Sequence, residues 1–325
     1  MGVYPSCEIY RFRFSVSRLE NDGTGKEKNM VHLTADRMGT VKKEHSMQDR
    51  LLGVLYGTKA GRRLLKPLVA PCASRIGARL LDTRASLCLA MLLIRCHHIP
   101  MEDFAKVKYR SFNDFFTRRL ADGARRVMQE PESFISPCDG RLSVYKVDQE
   151  CSFLVKHTRY TIESLLKSRK LAERFAGGYA WIFRLCVDDY HRYIYTDDAA
   201  VSKIRRIPGV LHTVNPAAND VCEVYKENTR EYCLLKTAHF QTILQMEVGA
   251  MFVGRIENAA GERMVERGEE KGYFAFGGST VILLTQKGAV LPDGDLLRHS
   301  KSGIETKVQL GEQVGIQRKN RACQK

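Results

Sequence analysis

RGEEKGYFAFGGSTVILLTQ (Arg267 to Gln286) sets two strand-like runs, YFAF and TVILLTQ, on either side of Gly277, Gly278 and Ser279. Aromatic and β-branched residues suit a pleated surface, and glycine supplies the positive φ of a tight turn, so the stretch reads first as a hairpin. The same geometry admits chemistry. Gly278 has no side chain to obstruct an attack by the Ser279 hydroxyl on the carbonyl before it, and its backbone can bear strain.

Outward from this hairpin the β texture reaches back to Phe134. RLSVYKV, YAWIFRLCV, YIYT, CLLKT and TILQMEVGAMFVG are separated by Gly, Pro, Asn and Asp, which predicts a mostly antiparallel, barrel-like or sandwich-like domain. Upstream the texture is helical. From Met47 to about Arg119, LLGVLYG, RRLLKPLVAP, RIGARLLDTRASLCLAMLLIR and SFNDFFTRRL carry apolar residues at three- and four-residue spacings. Between Lys59 and His98 stand eight basic residues and one acidic residue, Asp82. Basic amphipathic helices of this kind suit an anionic membrane interface, and equally a solvated face over an ordinary core. Residues 1–46 show no sustained period and are expected to be disordered or dispensable. The fold class is therefore α+β in three segments: an extension (1–46), a basic helical region (47–125) and a β-rich domain (126–325).

The 325 residues, 44% of them hydrophobic, can bury a sizeable core. A net charge of +15 favours an anionic partner such as a membrane surface, a nucleic acid or an acidic substrate. Nucleic acid fits nothing else in the chain, which has no zinc spacing, no RNP-like aromatic pair and no dense basic helix. The ten cysteines stand singly and none pairs at two-residue spacing, so no metal site is expected and a reducing compartment is. No secretory apolar region follows the N-terminus. MGVYPS matches the myristoylation pattern with Cys7 nearby, but so short a pattern arises readily by chance. The best apolar run, Leu87 to Ile94, is far below the roughly 20 residues of a membrane span. Contact with a bilayer is expected from its surface, at the cytoplasmic face.

Eight blocks carry a resemblance. YGTKAGRRLLKPL, SFNDFFTRRL, ISPCDGRL, DDYHRY, PGVLHTVNP, YKENTREY, QMEVGAMFVG and KGYFAFGGST occur in the order found in the phosphatidylserine decarboxylase family. The chain resembles that family from about residue 47 to about residue 317. The resemblance implies that the Ser279 hydroxyl attacks the carbonyl of Gly278, that the peptide becomes an ester, and that β-elimination breaks the chain. A β chain of residues 1–278 and an α chain beginning at 279 would result, the latter opening with a pyruvoyl group made from Ser279. Loss of CO2 from an amino acid leaves electrons that no ordinary side chain accepts, and a carbonyl cofactor joined to the substrate amine as a Schiff base accepts them. The implied reaction turns phosphatidylserine into phosphatidylethanolamine. A second copy of the chain is a further candidate partner.

Site residues follow the same resemblance. His191 of DDYHRY is implied in the decarboxylation step, as a group that exchanges protons near neutral pH. Asp139 of ISPCDG is implied to orient the histidine that deprotonates the serine. The family often carries that histidine three residues after the first, where this chain has Ile194. His32 and His45 fall in the extension, His97 and His98 in the basic helices, and His299 beyond the hairpin, which leaves His157, His212 and His239. PGVLHTVNP is a block the family places beside the active site, so His212 is the expected base, oriented by Asp139. Two other readings stay open: a pyruvoyl decarboxylase of a soluble amino acid, and a lipid-binding relative that never matures.

Overall fold

The computed structural model describes residues 32–44, 52, 55–56, 58–155, 158–215, 218, 223–251, 255–259, 261–275 and 279–318. Among them an 11-stranded sheet forms the frame. Its order runs Met264–Val265, Ala199–Val201, Arg230–Thr237, Thr242–Val248, Ser279–Thr285, Tyr179–Leu185, Gly140–Lys146, Glu305–Val308, His32–Ala35 and Val41–Glu44, with Arg205–Ile207 also paired to Arg230–Thr237. Neighbours are antiparallel except that His32–Ala35 runs parallel to Glu305–Val308.

The sheet ends on two edges and does not close, which corrects the barrel-like part of the sequence expectation. The reason lies in its central strands. Ser279–Thr285 is buried at every position. One face packs with Trp181, Phe183, Leu185, Val281 and Leu283, the other with Ala180, Ile182, Leu244, Met246 and Leu284. A sheet covered on both faces is stabilised by the layers over it and needs no closure. A small sheet of Arg255–Asn258, Glu270–Ala275 and Arg192–Ile194 lies beside it in the fold, as does another of Val290–Pro292, Gln313–Gln317 and Ser133–Ile135.

Residues 32–44 correct a second expectation. They form a hairpin on the outer side of Glu305–Val308, so this part of the extension belongs to the fold. Two four-residue strands, HLTA and VKKE, are too short and polar to show a period, and their order comes from pairing and from Arg37. Its guanidinium reaches Asp293 and Asp295 at 2.7 Å each and donates to the Gln313 carbonyl at 2.7 Å. Residues 1–31 lie outside the described residues.

The helical region contains Lys59–Leu68, Pro71–Leu81 and Leu87–His97. The first is capped by the Thr58 hydroxyl, which accepts from the Gly61 amide. Exposed Leu64, Ile76, Leu80, Met91 and Leu92 alternate with exposed Arg63, Lys66, Arg79, Arg84 and Arg95. Among the described residues no helix is long and apolar enough to cross a membrane. A short helix, Phe112–Phe116, turns inward, and its phenylalanines pack with Ile99, Tyr190 and Ile194. That apolar cluster is what Ile194 fills.

Candidate active site

Ser279 opens the central strand and is fully buried, and its Oγ has no hydrogen-bond partner among the described residues. On one side it pairs with Leu185, and Arg141 opposite Arg184 places Gly140 in the same row. On the other side Val248 stands opposite Thr280, so Gly249 follows opposite Ser279. Gly278, the other partner in the expected cut, lies outside the described residues.

His212 approaches from the Gly249 side. Asn228 ties the two segments: its amide nitrogen donates to the carbonyls of His212 and Gly249, at 2.8 and 2.7 Å, while its Oδ1 accepts from the His212 amide. The Met251 amide also donates to the His212 carbonyl. The buried ring is held at both nitrogens. Nε2 lies 3.4 Å from Glu227 Oε2, and Nδ1 lies 3.3 Å from the Tyr56 hydroxyl. A carboxylate only accepts, so Nε2 carries the proton and Nδ1 keeps the lone pair in the neutral ring.

Asp139 lies on the opposite side, beyond Leu185 and next to Gly140. A Cβ on Gly140 would sit 2.9 Å from the Arg184 carbonyl oxygen, so this close approach requires glycine. The Asp139 carboxylate pairs with Arg125 at 2.9 Å and accepts from the Leu310 amide at 2.7 Å. The expected Asp139–His212 pair is therefore not formed. Neighbouring strands are about 4.8 Å apart, and the Ser279 and Leu185 strands stand between them. The carboxylate at His212 is Glu227.

Asp139 keeps company with the other histidine. Ile194 N donates to the Pro137 carbonyl at 2.9 Å, which joins ISPCDG to DDYHRY. His191 is fully buried, its ring centroid 4.0 Å from that of Phe116. Nδ1 donates to the Asp189 carbonyl at 2.9 Å, so the neutral ring leaves the Nε2 lone pair free, and Nε2 has no partner among the described residues. Burial, with the Arg118 guanidinium nearby, pushes the His191 pKa down to about 3. The strand residue Phe274 donates its amide to the His191 carbonyl, five residues before Ser279. Asp189 accepts from Arg141 at 2.9 Å and from the Cys186 amide at 2.7 Å, a structural role.

The arrangement thus brings a buried serine oxygen, unpartnered among the described residues, between two histidine neighbourhoods. An N-terminal keto group made from Ser279 fits here, because the orphaned Oγ opens a strand directly after two glycines. Glu227 and Tyr56 were not legible as site residues. Their signal was membership of the blocks YKENTREY and YGTKAGRR, each of which brings one hydroxyl or carboxylate to His212.

Comparison with known proteins agrees with this geometry. The phosphatidylserine decarboxylase family profile matches residues 112–316. Phosphatidylserine decarboxylase proenzyme 2 of Clostridium acetobutylicum is 41% identical over 273 residues, covering 84% of this chain and 94% of that protein. The phosphatidylserine decarboxylase proenzymes of Ruminiclostridium cellulolyticum and Clostridium novyi are 38% and 35% identical over 273 residues each, with 82% of this chain covered and 91% and 92% of theirs. The chain belongs to the phosphatidylserine decarboxylase family.

Proposed function

We propose that the protein converts phosphatidylserine to phosphatidylethanolamine and CO2 after cutting itself between Gly278 and Ser279. The observation that carries this reading is Ser279 itself, a buried serine whose Oγ has no partner among the described residues, at the head of a central strand and directly after Gly277 and Gly278 in sequence. Family membership and relatives named as proenzymes support it.

In the cut, Ser279 Oγ bonds to the Gly278 carbonyl carbon as its proton leaves, the C–N bond breaks and the freed amine takes the proton. Then β-elimination splits the ester into the Gly278 carboxylate and a dehydroalanine, which water hydrolyses to the pyruvoyl group with loss of ammonia. His212 is the base, with Glu227 in the place expected for Asp139: Glu227 holds the Nε2 proton and Nδ1 accepts, through the Tyr56 hydroxyl that it touches. Asp139, pinned by Arg125, braces the loop beside His191. The pyruvoyl group would supply a sink for the electron pair left on the α carbon when CO2 departs. His191 Nε2, whose lone pair is free among the described residues, takes up a proton from water and passes it to the carbon that has lost CO2. The basic, leucine-studded face of residues 59–97 rests on an anionic membrane at the cytoplasmic side, where the substrate lies.

Intact-mass measurement of the purified protein tests the reading. Two chains divided at Gly278–Ser279 are expected, the smaller one of 47 residues and blocked at its N-terminus, whereas Ser279→Ala stays whole. Full activity from uncut Ser279→Ala would overturn it.

A further inference from the structure

Between the large sheet and the small sheet of Glu270–Ala275 lies a polar cluster that the reaction above does not use. Lys271 Nζ donates to Glu247 Oε2 at 2.6 Å and to Asn258 Oδ1 at 2.9 Å, and both charged residues are fully buried. Asn258 Nδ2 donates in turn to Glu247 at 3.2 Å and to Glu231 at 3.0 Å, and the Tyr193 hydroxyl donates to Asn258 Oδ1. Glu231 stands directly opposite Glu247 in the sheet, so two carboxylates share this space with one ammonium. Burial raises the Glu247 pKa, and its Oε1 has no partner among the described residues.

Such a cluster is a poor way to gain stability. Desolvating two charges cancels most of their attraction, and apolar residues of similar volume often serve as well or better. Like charges directly opposite in a sheet are unfavourable too. What directional bonds add is registry: apolar faces can repack against each other, but an ion pair with a bridging amide has one geometry.

The position of the cluster says what is being registered. Lys271 lies on the strand that enters the link 276–278, and Glu247 stands opposite Val281 on the strand that leaves it. Those three residues join one sheet to the other, so the offset between the sheets sets the distance from Ala275 to Ser279. The small sheet is closely drawn here, since a Cβ on Gly272 would lie 2.1 Å from the Glu257 carbonyl oxygen.

We propose that Glu247, Lys271 and Asn258 form a registry lock that holds the Gly278–Ser279 bond in the geometry for self-cleavage, with Glu247 and Lys271 as positioning residues. The inference rests on self-cleavage at that bond. The test compares the full-length wild type with Glu247→Leu/Lys271→Met, with the charge-reversed pair Glu247→Lys/Lys271→Glu, and with each charge-reversed single variant. Melting temperature and the rate at which two chains appear are measured together. The apolar pair is expected to melt at or above the wild-type temperature yet cleave at least about tenfold slower, since displacing reacting atoms by about 1 Å can cost about 100-fold. The reversed pair, with its directional bond restored, is expected to cleave faster than either of its singles. A folded apolar pair that cleaves at the wild-type rate overturns the lock. Should the apolar pair not fold, a reversed pair no faster than its singles overturns it. A wild-type chain that stays whole would instead overturn the proposed function.

Discussion

His212 Nε2 and Glu227 Oε2 stand 3.4 Å apart, a carboxylate–histidine contact at the end of the strand that pairs with the Ser279 strand. The contact holds the Glu227 carboxyl below the usual carboxylate range, chiefly through the hydrogen bond from His212. A lowered folded pKa means that its contribution is present at neutral pH and is lost as pH falls below about 4. His212→Ala is expected to remain a single chain, or to cleave at least about 100-fold slower. Glu227→Gln should cleave more slowly than wild type, whereas His239→Ala should mature normally, because its ring bonds Asp197 away from Ser279. Timed gels of freshly made protein distinguish these outcomes, and wild-type cleavage by His212→Ala would remove the residue from the mechanism. His157 lies outside the described residues.

His191 is expected to act after the cut. His191→Ala should therefore appear as two chains and decarboxylate about 100- to 10,000-fold more slowly. An uncut His191→Ala chain would move the residue to maturation. Acid stability checks its charge state independently. Its folded pKa of about 3 lies below the ordinary histidine value of about 6.5, so between the two the unfolded chain binds more protons. The contribution is complete above about pH 6.5 and is lost as pH falls toward 3, by up to about 1.4 kcal/mol per unit. Asp189, raised by burial to about 6, acts in the opposite sense, stabilising as pH falls. The difference between wild type and His191→Gln in urea unfolding at pH 6.5 and 4.5 isolates the histidine, and a difference that does not change with pH would contradict a neutral buried ring.

The hairpin of residues 32–44 should matter to the small chain. Every ion-pair partner of Arg37 among the described residues (Asp293, Asp295 and Glu312) lies C-terminal to the proposed cut. Arg37→Ala is expected to destabilise by about 1–3 kcal/mol, and each kcal/mol should lower the melting temperature by about 2–4 °C. A chain beginning at Met47 should lose more. Equal melting temperatures would show that the hairpin carries no stability.

Membrane contact is tested by Leu80→Gln with Leu92→Gln. Both side chains are exposed, at 63% and 58%, so melting should change little. Binding to vesicles containing phosphatidylserine should fall at least about tenfold, and wild-type binding should weaken with salt. Undiminished binding would place the contact elsewhere.

Much of this was legible along the chain. Strand texture marks the runs on either side of Ser279, whereas His191 in DDYHRY and Asp139 in ISPCDG stand out only through the resemblance to the family; the structure seats each at a strand or its entry. The pairing of Asp139 with His212 was not legible, because which carboxylate meets which imidazole depends on strand order, and Asn228 delivers His212 to the far side of Ser279. The hairpin escaped because four-residue strands gain their order from a neighbour far away in sequence, Thr34 standing opposite Glu305. Glu247 did leave a trace. A carboxylate within TILQMEV, a strand buried on both faces, is out of place unless something buried answers it, and Lys271 of EEKGYFAF does.

Ser279–Thr285 is bonded on both sides within the sheet, and the residues after the cut also supply Glu305–Val308 and Gln313–Gln317. Cutting before Ser279 would give a small subunit woven into its partner, with no prior life as a free molecule and no path of exchange short of unfolding. A copy whose keto group was spoiled could not be refitted with a spare. Each enzyme would age as an individual, and lost activity would return only as fast as new chains are made.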